Sequence, residues 1–412
     1  MVRIRNILNR AAAVFFATAV CVTVSGCSDE IDMGIGSMGE KGNTANIIFP
    51  DGSGSSGAVT DHLPTKREDG RKFKMAVLCN DSYNENLRMM YYLAENLKED
   101  GWISYDSIPC DPYTYSNVLD MLGWLADNAE SEYMEFDRDV HYYTSEFSKE
   151  EIYESLRTHI EEKKDIDLVL TLTTSASLML EKFDFDIPLL MYGLSDPVAS
   201  GLIVSADDSG DSRYWAHVDS SAYYRQLQYY FDTIEFSNLG AVYIDEIVAG
   251  MPEYRKAAED NGFDMTEYSI DRDSRSEDEY YESLAAIHQK MIEADKVDAY
   301  ILTSDLISST AKAKELLQVF LDANIPIFVQ EGSAYVIDGA ALMIVDMHDA
   351  SGTAPFVANV IGAVFNGAAP GDLEQEYISS PSLTINLDVA DAIEYYPPFE
   401  MLLSCERIVC GG

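Results

Sequence analysis

The sequence predicts an α/β protein of two lobes, each built on parallel strands with helices on the faces of the sheet. Three observations carry that reading. Short, continuous apolar runs such as Leu168–Leu172 (LVLTL) and Leu189–Tyr192 (LLMY) end abruptly in small polar residues, as buried parallel strands do. These runs alternate with stretches of helical periodicity, the order that gives parallel sheets. The strand–helix series then restarts near Asn238, which separates a first lobe over 73–235 from a second over 236–346. At 412 residues the chain is longer than one core requires.

Residues 1–26 read as an export signal. Basic MVRIRNILNR precedes apolar AAAVFFATAVCVTV, and Val24-Ser25-Gly26 supplies the small residues that a signal peptidase needs. Cys27 follows directly. This VSGC stretch resembles a bacterial lipobox, which implies that Cys27 is lipidated and that the mature chain is exported and tethered at the cell surface or in the periplasm. The apolar run is too short to be a membrane span, and no other segment approaches spanning length. Residues 27–72, rich in Gly, Ser, Asp and Asn and including DGSGSSG, read as a flexible tether.

The first strand is Phe73–Cys79, followed by a polar turn with Ser82 and Tyr83. A helix over 86–100 is stopped by Gly101, and 102–108 reads as a second strand. Residues 111–150 interrupt the pattern with aromatics and acids, as an insertion. A helix over 150–164 leads to the strand Leu168–Leu172, then Thr173-Thr174-Ser175, then the strand ending before Ser195 and Asp196. A strand over 214–218, with His217 and Asp219 at its end, feeds a helix from Ser220 to 234. In the second lobe, strands over 239–244, 265–270, 299–302, 325–329 and 341–345 alternate with helices over 252–261, 277–294 and 306–323. A helix over 351–366 and a strand over 383–387 close the chain. The 347–412 segment is expected to cross back to the first lobe.

The formal net charge of −43 excludes nucleic acid and anionic lipid heads as electrostatic partners. It is read as a solubilising adaptation. Outside the leader and Cys27, four cysteines remain. Cys79 and Cys110 fall at the ends of neighbouring predicted strands and are plausible partners, while Cys405 and Cys410 would close a small loop. No His lies near either pair, so no metal is expected. The chain has no Gly-rich phosphate loop, no nucleophile elbow and no His-Glu-x-x-His, so neither a catalytic residue nor a cofactor is expected. Of the histidines, His159 and His288 fall on amphipathic helices and are expected to be solvated. His217 and His348 follow strands, where each could meet a ligand or satisfy a turn.

Ligands of open α/β sheets sit beyond the carboxyl ends of the strands. The candidates there are Ser82, Tyr83, Thr173, Thr174, Ser175, Ser195, Asp196, His217 and Asp219 in the first lobe. In the second they are Ser304, Asp305, Glu331 and Asp346. Backbone N–H groups opening the helices after Thr174 and after Asp305 could hold a carboxylate. Asp305 or Glu331 could face an ammonium group. Together they would suit a zwitterion such as an amino acid.

Over roughly residues 74–398 the chain resembles the substrate-binding proteins of bacterial ABC importers, in the subgroup of tryptophan/tyrosine-type binding lipoproteins. The similarity rests on DLVLTLTTSASLML, IPLLMYGLSDPVASGLI, KVDAYILTSDLISSTA and IPIFVQEGSAYVIDGAAL, with FNGAAPGDL and INLDVADAIEYYPP following in order. The resemblance implies the type I periplasmic-binding-protein fold: two Rossmann-like lobes around a hinge, closing on a small-molecule ligand. It also implies an importer permease and ATPase as partners, and a monomer is expected. By position, Thr173, Thr174 and Ser175 would hold a ligand carboxylate, and Asp196 and Asp305 fall in matched turns. The chain departs from the family at Leu306, where an Asn is usual, at Ala216 or His217, and in the aromatic insertion. The other readings are a tethered sensor or interaction module without transport, and an enzyme on the same scaffold.

Overall fold

In a computed structural model the described residues are 61–80, 84–112, 117–180, 182–244, 250–272, 274–347, 349–378 and 380–411. The leader, Cys27, Ser82, Tyr83 and His348 lie outside them. The first sheet contains β1 (Phe73–Cys79), β2 (Met134–Glu135), β3 (His141–Tyr143), β4 (Leu168–Leu172), β5 (Leu189–Tyr192) and β6 (Tyr214–Ala216). Its order is β2-β1-β4-β5-β6, with β3 also on β1, and every pairing is parallel. The second sheet contains β7 (Asn238–Ile244), β8 (Asp264–Ile270), β9 (Ala299–Leu302), β10 (Ile327–Val329), β11 (Met343–Asp346), β12 (Ser382–Asn386) and β13 (Arg407–Val409). Its order is β13-β12-β11-β10-β9-β7-β8, parallel except where β12 runs against β11.

Strand alternation explains the double layer in the first lobe. Met75, Val77 and Cys79 face one core with Leu168, Leu170 and Leu172, while Ala76 and Leu78 face another with Val169, Leu189 and Met191. Both faces are apolar because helices cover both. Helix Asn84–Glu99 covers the first face together with Ala350–Phe365, whose Val357, Val360 and Ile361 are buried there. Helix Lys149–Arg157 covers the other through Ile152 and Leu156.

The chain passes between the lobes after β6 into helix Ala222–Thr233, after β11 into helix Ala350–Phe365, and again before β12. The last passage is pinned by a parallel bridge between Val218 and Glu376 and by Trp215 Nε1 donating to the Glu374 carbonyl (2.7 Å). Thus Ala350–Phe365 does return to the first lobe, but the strand expected over 383–387 does not. β12 pairs with β11 in the second sheet, Asp346 opposite Ser382. Arriving from the cleft end, the chain can add to β11 only by running against it.

Several other expectations change. The predicted strand over 102–108 does not form, apart from a Ser104–Glu130 bridge. Its alternating apolar residues serve another purpose: Trp102 is fully buried among Phe73, Tyr133 and Phe365, and its Nε1 donates to the His62 carbonyl (2.9 Å). The edge beside β1 is taken instead by β2 and β3 from the aromatic segment. Residues 61–71, expected as tether, are fastened to the base of this lobe, with Asn366 Nδ2 donating to the Asp61 and Leu63 carbonyls (2.7 and 2.9 Å). Cys79, Cys110, Cys405 and Cys410 form no disulfide. The Cys79 thiol is buried and turned to the Tyr142 carbonyl, and that of Cys405 to the Met401 carbonyl.

His159 and His288 are buried rather than solvated. His288 lies against Tyr300 and Phe320, with ring centroids 5.1 and 5.0 Å away. Its Nδ1 meets the Leu316 carbonyl (3.3 Å), which can only accept, so Nε2 accepts from the Tyr300 hydroxyl (3.0 Å). Burial pushes its pKa down to about 4. His159 sits between the Asp165 carboxylate (3.0 Å) and Lys163 Nζ (3.2 Å).

Candidate functional site

In the first lobe the candidate surface is built on the end of β4. Thr173 takes φ 77° and ψ 159°, a conformation that costs a β-branched residue about 1–3 kcal/mol and concentrates at functional sites. Thr173 N donates to the Tyr192 carbonyl (2.9 Å), and the Thr173 carbonyl accepts from Ser177 N and Oγ (3.2 and 2.9 Å). The strained turn thereby presents Thr174 and Ser175. Thr174 Oγ1 accepts from Ser195 N (3.3 Å), and Asn80 Nδ2 donates to Ser175 Oγ (3.3 Å). The ends of β1, β4 and β5 thus form one polar rim. Gly193, at φ 68°, allows it: a Cβ there would lie 2.3 Å from Met89 Sδ.

Other first-lobe candidates are already engaged. Asp196 Oδ1 accepts from Ala199 N (2.8 Å), so its carboxylate shapes the turn. The Asp219 carboxylate is almost wholly buried, pairs with Arg225 and accepts from Ser221 N (3.2 Å) at the entry to the interlobe helix. His217 is buried against Tyr192, Phe356 and Tyr377, and its Nε2 donates to the Tyr377 carbonyl (3.1 Å).

In the second lobe, Ser304 N and Oγ donate to Gln330 Oε1 (2.8 and 3.1 Å). Asp305 is exposed at φ 59°, the counterpart of Thr173 at the end of the other lobe's central strand. The helix expected from Leu306 begins only at Thr310, capped by Ser309, because Leu306 and Ile307 turn into the core. No helix terminus therefore follows Asp305, and the helix after Thr173 is short, Thr174–Met179. These strand ends therefore offer hydroxyls and turn amides rather than two helix dipoles.

The lobes meet at Glu331. Its Oε1 accepts from Tyr223 Oη (2.6 Å), on the interlobe helix, and from Ser195 Oγ (3.3 Å), on the first lobe. Gln226 Nε2, one turn after Tyr223, donates to the Gln330 and Val345 carbonyls (2.9 and 2.8 Å). A second interlobe contact is the buried Arg88. It bridges Glu85 Oε2 (2.7 Å) on its own helix, Asp349 Oδ1 (2.6 Å) and Asp346 Oδ2 (3.4 Å). Three carboxylates on one guanidinium leave negative charge in a dry place. Burial, with the neighbouring acids adding, raises Glu85 to about 7 and Asp349 to about 6.

The cleft is therefore bordered by neutral donors on the first lobe and by carboxylates on the second. Tyr223, Gln226, Glu85, Arg88 and Asp349 were not legible as site residues, whereas Gln330 and Asp346 stood among the polar strand ends. Only the odd placement of Arg88 between apolar Leu87 and Met89 hinted at a buried charge. A cavity of about 400 Å³ lies elsewhere, at the opposite ends of the first-lobe strands around Phe73, Asp167 and Pro188. Its Arg67 is already paired with Asp69 and Asp167. Among the described residues, no group of His, Cys, Asp and Glu could hold a metal.

The family profile described as ABC transporter substrate binding protein matches residues 125–402, two thirds of the chain and both walls of the cleft. The chain belongs to this family. The solved structures to which it is similar give the same fold. A Streptococcus pneumoniae ABC domain, solved in complex with L-Trp, is 18% identical, with a TM-score of 0.58 over 82% of this chain and 100% of that one. A conserved domain protein from Vibrio cholerae has the same TM-score and coverage at 17% identity. A substrate-binding protein with adhesive properties from Clostridium difficile, ligand-free and open, is 14% identical at a TM-score of 0.58, again over 82% and 100%. Comparison with curated proteins found no match. The fold is that of type I periplasmic binding proteins. The family is extracytoplasmic and consists of binding proteins for small solutes, which work with an ABC permease. No helix among the described residues is long and apolar enough to cross a membrane.

Proposed function

We propose that the protein is a lipoprotein, anchored through lipidated Cys27, that captures an amino acid between its lobes and delivers it to the permease and ATPase of an ABC importer. The observation that carries this reading is the contact of Ser195 with Glu331. It brings the polar strand ends of both lobes to the two sides of one cleft. The hydroxyls of Thr173, Thr174 and Ser175 and the turn amides of Thr174 and Ser175 suit a carboxylate, which the acidic second wall would repel. Glu331 has acceptor capacity beyond its two hydroxyl partners and suits an ammonium group. Asp305 and Asp346 add negative potential on the same wall. The L-Trp in the pneumococcal relative is consistent with this class of ligand. Ser82 and Tyr83, proposed as ligand contacts, and Cys27, proposed as the anchor, lie outside the described residues.

Closure on a ligand stabilises the folded state by mass action, about 2.7 kcal/mol at one hundred times Kd. A thermal-shift screen of the proteinogenic amino acids should therefore give a clear rise for one or a few of them, lost in T174A/S175A. A flat screen, with no small molecule released on denaturing the purified protein, would reject the assignment. Cys27→Ser should move the protein from the membrane to the soluble fraction, and light scattering should report one chain per particle.

A further inference from the structure

Arginine is scarce in this acidic chain, which has 28 basic and 71 acidic side chains. From Arg67 to Arg255, every described arginine makes an ion pair with Asp or Glu. Arg272 and Arg275 break that pattern. Neither is paired with a carboxylate among the described residues, and they stand side by side after β8, at the end of the sheet that carries the cleft.

The two guanidinium groups line a cavity of about 210 Å³ with Glu277, Tyr280 and Tyr281. Its walls are fixed from behind. Tyr280 is buried and its hydroxyl donates to the Leu306 carbonyl (2.8 Å), while Tyr281 Oη lies 2.8 Å from Ser308 Oγ and accepts from Ser308 N (3.2 Å). Arg272 lies 5.5 Å from the Tyr280 ring centroid, and its Nη1 donates to the Asp305 carbonyl (3.0 Å). That contact uses one N–H and leaves the rest of the planar fork available. Lys312 Nζ lies 5.2 Å from the Tyr281 ring centroid, its charge paired with Glu315 (3.0 Å). The nearby Glu279 carboxylate accepts from Ser276 N and Oγ (3.1 and 2.9 Å) in a capping box, and the Arg275 charge adds to holding it ionised. Glu277 is the one acid in the lining.

Two guanidiniums that make no ion pair among the described residues, over fixed tyrosines in a pocket too small for a bulky solute, match the geometry of an oxyanion. We propose that Arg272, Arg275 and Tyr281 form an oxyanion subsite on the flank of the second wall, taking the carboxylate or phosphate of a small molecule. Arg272 would tie its occupancy to the Asp305 turn. The assignment does not depend on which solute the cleft binds.

Isothermal titration of the full chain with inorganic phosphate and, separately, with citrate tests it. At least one anion should bind, phosphate alone indicating a phosphate ligand and citrate alone a carboxylate ligand. Arg272→Gln with Arg275→Gln should weaken binding at least about tenfold, as expected for lost charge-assisted hydrogen bonds. Arg255→Gln, which breaks an ion pair on another face, should leave it unchanged. Absence of binding by both anions up to about 10 mM, or unchanged affinity in the double variant, overturns the proposal. If the double variant failed to fold, the exposed Arg275→Gln alone would serve. T174A/S175A should remove amino-acid binding and spare the anion, which separates failure of this subsite from failure of the cleft assignment.

Discussion

Glu85 and Asp349 hold protons that an unfolded chain would release. Burial raises Glu85 from the ordinary 4.5 to about 7, and Asp349 from 3.8 to about 6. Between the ordinary and raised values the folded state binds more protons, so stability falls as pH rises through that window. Glu85→Gln keeps an acceptor for Arg88 without the charge. It should raise the unfolding midpoint at pH 8 and bring little or no gain at pH 4.5. A gain that is equal at both pH values would show that the cluster is not the titrating unit. Glu331 acts differently, because its carboxylate joins the lobes. Glu331→Ala removes the acceptor shared by Tyr223 and Ser195. It should increase the radius of gyration of the ligand-free protein in small-angle scattering, with no loss of helix by circular dichroism. Neither role could be read from the chain, since each depends on partners more than a hundred residues away.

At the scale of elements, the two lobes repeat one local device. Helix Lys149–Arg157 unwinds into a π turn, Thr158–Lys163, and helix Glu277–Lys290 into another, Met291–Asp295. Each is closed by a left-handed lysine, Lys164 or Lys296. An aspartate then fastens the neighbouring strand. Asp167 Oδ2 accepts from Lys74 N (2.9 Å), and the Asp298 carboxylate accepts from Ser237 N and Asn238 N (3.0 and 2.8 Å). Asp298→Ala removes this acceptor from amides that water can reach and should cost about 0.5–1.5 kcal/mol, read as a lower denaturant midpoint at unchanged m-value. Strands such as Leu168–Leu172 and Leu189–Tyr192 were legible because a parallel strand between helices must be apolar on both faces. Residues 102–108 misled for the same reason. A loop that buries Trp102, Ile103, Tyr105 and Ile108 is as rich in apolar residues as a strand, and the edge of β1 is taken by β2 and β3 instead.

For the whole molecule, charge and hinge set the behaviour. A net charge of −43 opposes compactness, and the Debye length shrinks to about 10 Å at 0.1 M salt. The unfolding temperature should therefore rise between low salt and about 0.5 M sodium chloride, in calorimetric scans at pH 8. A flat response would mean that local ion pairs already neutralise the surface field. The passages between lobes are short and hydrogen-bonded: Val218 pairs with Glu376, and Gln226 anchors the interlobe helix to the ends of β10 and β11. Such passages permit the lobes to rotate as bodies while each sheet stays intact.

The sequence by itself determined the two-lobe α/β plan and where most of its strands end in polar residues. These follow from local periodicity and from the rule that polar residues break buried strands. It also carried the family, through motifs spread along both lobes in a fixed order. Only the tertiary structure decided that 383–387 joins the second sheet, that Asp196 and Asp219 are bound up in turns, and that Glu331 rather than a helix dipole faces Ser195. Which polar group is satisfied and which is left to meet a ligand depends on distance in space, and short-range pattern contains no such distance.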